Sequence, residues 1–255
     1  FNERTLNMRN LYKDRIEVHY DEREGKVFTT RLPKEGADLI YPGLVDAFED
    51  ARGNLDKAYK TKLAPTRMEV FSSSEDFSIR TVGTPSLGAL GVCFGPLITL
   101  LGPYGGMFNF DQVSYHELAH VYAITISKGR VPRWFTEGLS EWESEVRDPS
   151  WARESAELLS AAKSENRLRK LSELELAFLR AESPIMMEVA YATATYAIRY
   201  LGTTYGRDKL VAMLEGYADG KSSEELFPKV FGKDLEAVEA DFEKWFYDSL
   251  ESKIS

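Results

Sequence analysis

The sequence predicts an α+β fold in one domain spanning residues 1–255, with a small strand-rich lobe (1–110) followed by a mainly α-helical lobe (111–255). Three observations carry this expectation. Before Phe110 the apolar residues come in short runs separated by Gly, Pro and charged turns. After Phe110 they recur at helical spacing almost to the end of the chain. The 255 residues are 43% apolar and 29% charged, which is enough to bury a sizeable core and too apolar for general disorder.

The elements follow in order. Arg15–Tyr20 alternates polar and apolar residues as a half-buried strand does, and 26–32 (KVFTTRL) reads as a strand paired to it. The stretch 37–60 is helical in period, with Pro42 and Gly53 as interruptions. Thr66–Phe71 is a short strand, and the Ser72-Ser73-Ser74-Glu75 turn caps a short helix after it. Two apolar runs, ALGVCF and LITLL between Leu87 and Tyr104, read as strands buried on both faces. Helices are then expected at 111–128, 134–148, 150–164, 171–181, 187–205, 207–218 and 234–250. Pro184, Gly202, Gly206, Gly220 and Gly232 punctuate them.

Composition excludes several functions. Thirty-two basic and 41 acidic residues give a net charge of −9, which argues against nucleic acid or an anionic membrane surface as the main partner. A single cysteine, Cys93, excludes an internal disulfide and any cysteine-rich metal site. The longest uncharged stretch, Thr81–Phe110, contains seven glycines and three prolines, so no integral membrane segment is expected in this chain. The first residue is Phe1, which reads as a processed or excised N-terminus. The compartment is left open, with an extracytoplasmic one favoured.

Only three histidines are present, and two of them stand in His116-Glu117-Leu118-Ala119-His120. Residues four apart on a helix are offset by about 40° around its axis, so both imidazoles project to one side and can grip one metal ion. Glu117 lies about 100° round from His116, where it can reach water on a metal without being a ligand. This is the H-E-x-x-H pattern of zinc peptidases, in which zinc lowers the pKa of a water to about 7 and the glutamate takes its proton. A catalytic zinc takes three protein ligands and keeps one position open. A further histidine six residues on is excluded, because Ala123 and Ile126 stand where that pattern needs Gly and His. His19 and Cys93 remain upstream as donors. Downstream, Glu137 and Glu141 lie one turn apart on the helix that follows the Gly129–Pro132 turn.

HELAH followed by PRWFTEGLSEW resembles the gluzincin peptidases, the thermolysin and aminopeptidase type. It is most similar to the peptidase MA-like family of bacterial proteins, which carries a P-x-W-x-x-E-G-[LF]-[AS] segment. The resemblance implies a thermolysin-like zincin catalytic domain holding one Zn2+, and peptide or protein substrates. It makes Glu137, separated from His120 by 16 residues, the third ligand. Glu141 becomes an acid that orients a histidine, and the fallback ligand. It also implies a tyrosine that donates to the oxyanion, Tyr191 first and Tyr196 second, and an edge strand before the zinc helix that binds substrate backbone, here within 97–108. Gly105-Gly106-Met107-Phe108-Asn109 lacks the glutamate of the aminopeptidase motif, so an endopeptidase is expected. The alternative is a non-catalytic or degenerate peptidase-fold module that binds zinc and a protein partner. His19 and Cys93 read as structural residues.

Overall fold

The computed structural model describes residues 2–102, 109–180 and 183–254. The chain is α+β, mostly helical, with one small mixed sheet. Residues 1–122 form one compact unit and 123–255 another.

In the first unit, α1 (Glu3–Asn10) continues through a wide π turn, Leu11–Ile16, and a last helical turn, α2 (Glu17–His19). Only then does β1 (Tyr20–Glu24) begin, so the strand expected at Arg15–Tyr20 is helical up to His19. The alternation misleads because Ile16 and Tyr20 are buried while Val18 is exposed. The π turn, with its i→i+5 period, brings Leu11 and Ile16 into one cluster with Tyr20, Phe71 and Phe77.

β2 (Phe28–Pro33) pairs antiparallel with β1. The next helix, α3 (Ala37–Tyr59), is unbroken, contrary to the expected interruptions. Pro42 sits in its second turn, and a Cβ at Gly53 would meet nothing within 4 Å. Leu44, Phe48, Ala51, Leu55 and Tyr59 recur every three or four residues, and that buried face holds the helix together. β3 (Thr66–Phe71) runs parallel to β2, as a helical crossover permits. Ser73 accepts from the Asp76 N–H at 3.3 Å and caps α4 (Ser74–Val82), as its serines suggest.

β4 (Gly91–Phe94) and β5 (Leu97–Leu101) form an antiparallel hairpin, and the sheet order is β1-β2-β3-β5-β4. β5 is therefore paired on both sides, to β3 and to β4. Residues 97–101 cannot be the free edge expected there, and the edge is β4, which is only half-buried. Residues 103–108, the rest of that stretch and most of the Gly105–Asn109 segment, lie outside the described residues. α5 (Phe110–Ile126) closes this part of the chain.

The second unit is helical. A turn through Gly129, in the left-handed region at φ 74°, leads to α6 (Arg133–Arg147). The helix expected over 150–164 is shorter: a 3-10 turn at Pro149–Trp151 precedes α7 (Ala156–Ser164). Another 3-10 turn, Leu171–Glu173, leads into α8 (Leu174–Leu179). α9 (Pro184–Tyr205) starts earlier than expected, because Pro184 occupies its first position and Ser183 caps it. After α10 (Arg207–Ala218) comes a helix the periodicity did not reveal, α11 (Ser223–Phe231), and then α12 (Leu235–Ile254). α11 contains Pro228, yet Ser222 and Glu225 form a capping box at its start.

α6 and α9 approach very closely. A Cβ at Gly138 would lie 2.4 Å from the Ala194 carbonyl oxygen, and one at Gly202 2.5 Å from the Trp142 ring. Backbone cannot yield as a flexible side chain can. Gly138→Ala is therefore expected to lower unfolding stability by about 1–3 kcal/mol. Gly53→Ala, on an open helix face, is expected to raise it by about 0.5–1 kcal/mol. Chemical denaturation of both variants checks the pair.

Candidate metal centre

α5 carries the histidine pair within a largely apolar stretch. Leu118, Ala119, Val121, Tyr122 and Ala123 are all buried. Tyr122 anchors it: its hydroxyl donates to Asp56 Oδ1 at 2.6 Å, and its ring stacks on Tyr59 at 5.3 Å. Burial, followed by the bond to Asp56, pushes that phenol far above its ordinary pKa, so it stays a donor.

His120 is 7% exposed and His116 half-buried. Their Nε2 atoms face each other at 3.1 Å, with ring centroids 4.8 Å apart. Two imidazole nitrogens at about 2.0–2.1 Å from one tetrahedral ion stand about 3.4 Å apart. The pair is thus close to that spacing and fits a shared cation. Glu117, 6% exposed, points its carboxylate toward β4: a Cβ at Gly91 would sit 2.5 Å from Glu117 Oε1. Gly91 escaped the sequence reading, although a glycine inside an apolar strand signals such a close approach.

On α6, Glu137 accepts from neighbours that include Tyr191 and Arg133. Tyr191 Oη donates to its Oε1 at 3.4 Å, and Arg133 Nε donates to the same atom at 3.3 Å. Arg133 Nη2 also donates to Tyr191 Oη at 3.0 Å, closing a triangle, and its guanidinium lies over the Phe178 ring. Burial first, then the Glu137 carboxylate, raise the Tyr191 pKa, and Arg133 pulls it back. Tyr191 therefore remains a protonated donor at neutral pH. Tyr196 reaches Glu154 at 3.5 Å, so of the two tyrosines it is Tyr191 that meets Glu137. Glu141 is ion-paired with Arg153 at 3.1 Å. Arg133 is the residue sequence reasoning passed over. Its i,i+4 spacing to Glu137 was the available signal.

His116, His120 and Glu137 each offer one ligand atom. Two imidazoles and a carboxylate are a donor set that could hold a metal ion. Of the upstream candidates, His19 is exposed, and the Cys93 thiol on β4 donates to the Gly95 carbonyl at 3.3 Å.

A family model, the Peptidase MA superfamily, matches residues 95–248, more than half of the chain, and the chain belongs to that superfamily. No curated protein matches it. The superfamily is typically metal-dependent, and membership points to a peptidase-like function on peptide or protein substrates. Among the described residues, no helix is long and apolar enough to cross a membrane.

Tyr122→Phe removes a part-buried charge-assisted hydrogen bond and leaves the packing. It is expected to lower stability by about 1.5–3 kcal/mol, read as a shifted denaturation midpoint.

Proposed function

We propose that this chain is a zinc-dependent peptidase of gluzincin type, with a thermolysin-like catalytic domain and an endopeptidase action. His116, His120 and Glu137 hold one Zn2+, and Glu141 supports the ligand shell. The observation that carries the reading is the approach of the two Nε2 atoms to 3.1 Å on one face of α5. Zinc held by these residues would polarise the scissile carbonyl and make water acidic enough to lose a proton near neutral pH.

The chain's own groups do the rest. Glu117, buried beside Gly91, accepts the proton of the attacking water and delivers it to the leaving amine. Tyr191 donates its phenolic hydrogen to the carbonyl oxygen as negative charge builds there. Arg133 holds that phenol and Glu137 in a common orientation, supported by its bonds to both. The open edge of β4 takes the extended substrate backbone, which leaves side-chain selection to the surrounding pockets.

A Glu117→Gln chain is expected to keep its zinc, measured as metal content after dialysis, and to hydrolyse a fluorogenic peptide about 10²–10⁴-fold more slowly. Unchanged hydrolysis by that variant would refute the mechanism. Stoichiometric zinc without turnover in the parent chain would instead support a binding module.

Tyr191→Phe is expected to lower kcat by about 10²–10³-fold with little change in KM, because the bond forms only as charge develops. Tyr196→Phe should leave kcat near the parent value. Steady-state kinetics of the two variants decides between the tyrosines.

A further inference from the structure

Residues 1–122 also hold a cavity of about 920 Å³ at the carboxyl ends of β2 and β3. Pro33 and Ser72 mark those strand ends, and the first turns of α3, α4 and α5 supply the walls. The volume falls in the range of small-ligand sites, and strand carboxyl ends are where α/β layers commonly bind ligands.

Asp76, in the first turn of α4, lines this cavity and is more than nine-tenths buried. Its backbone N–H is bonded to Ser73 Oγ at 3.3 Å, but among the described residues its carboxylate has no hydrogen-bond donor. Burial, joined by the neighbouring Glu75, pushes its pKa up, against the pull of Arg15 and His19. A largely buried carboxylate that opens on a cavity and has no protein donor gains from a ligand that donates to it.

The rest of the lining defines that ligand. Arg15 and His19 are exposed on the cavity's wall. Lys34 is already committed, donating to the Val18 carbonyl at 2.8 Å, and Glu35 and Asp111 stand exposed. Leu39 is 87% exposed and shares the lining with Leu44 and Phe110. One buried acid, a basic pair and an apolar wall therefore share one cavity.

We propose that this cavity binds a short zwitterionic peptide with an apolar side chain. Its α-ammonium group donates to Asp76, its carboxylate meets Arg15 and His19, and its side chain covers Leu39, Leu44 and Phe110. The inference stands apart from the metal centre and does not depend on peptide hydrolysis.

Isothermal titration of the whole chain with the dipeptide Leu-Leu tests it, with the recovered dipeptide checked for integrity. Leu-Leu is expected to bind. N-acetylation of the dipeptide, or Asp76→Asn in the protein, is expected to weaken binding about 10–100-fold. Amidation of the dipeptide's carboxyl end, or Arg15→Gln, should also weaken it, whereas His116→Ala should not. No binding of Leu-Leu, equal binding of its acetylated form, or loss of binding in His116→Ala with retention in Asp76→Asn would each overturn the proposal.

Discussion

Two imidazole nitrogens stand 3.1 Å apart across one turn of α5, whose middle, Leu118 to Ala123, is buried. A helix cannot bring residues four apart that close unless both rings take rotamers on the same side. Holding two polar rings there, beside the buried carboxylate of Glu117, costs free energy that a bound cation would offset. Much of the surrounding structure keeps α5 in place. Tyr122 ties it to Asp56 on α3, and the hydrophobic face of α3 fixes that helix in turn. The glycine at 91 leaves β4 room to approach the glutamate between the two histidines.

The second unit solves a related problem with different chemistry. Glu137 and Gly138 are neighbours on α6, and Tyr191 and Ala194 lie one turn apart on α9. The same helix pair therefore carries both the tight contact of Gly138 with the Ala194 carbonyl and the bond from Tyr191 to Glu137. Packing and chemistry are coupled: a side chain at 138 would part the helices at the level where phenol and carboxylate meet. Arg133 adds a cation shared by both groups, with Phe178 beneath it to exclude water from one face.

What the sequence made legible was local. The HELAH spacing, the turn at Gly129 and Pro132, the serine cap of α4 and the placement of a tyrosine on α9 all depend on residues within one or two turns of each other, and the structure has them. Errors arose where a local pattern admits two periods or where partners are distant. Ile16, Val18 and Tyr20 alternate like a strand, but a π turn buries the first and third by a different route. Pro42 and Pro228 are tolerated within helices held by buried faces or by a capping box. The order β3-β5-β4 is a matter of pairing between strands, and two equally apolar runs do not reveal which lies outside. Arg133 and Gly91 were missed for a similar reason. Each matters through a neighbour, Tyr191 or Glu117, far along the chain.

The brevity of β4 has a consequence of its own. Four residues at about 3.3 Å each make an outer edge about 13 Å long, and alternate residues direct their main-chain groups outward. An extended segment laid along it would be gripped over roughly its own four residues and released beyond them. So short an edge also offers little template for another copy of the chain, which limits sheet-to-sheet self-association. Strand length thus sets both a ruler for what can be held and a safeguard against what should not be.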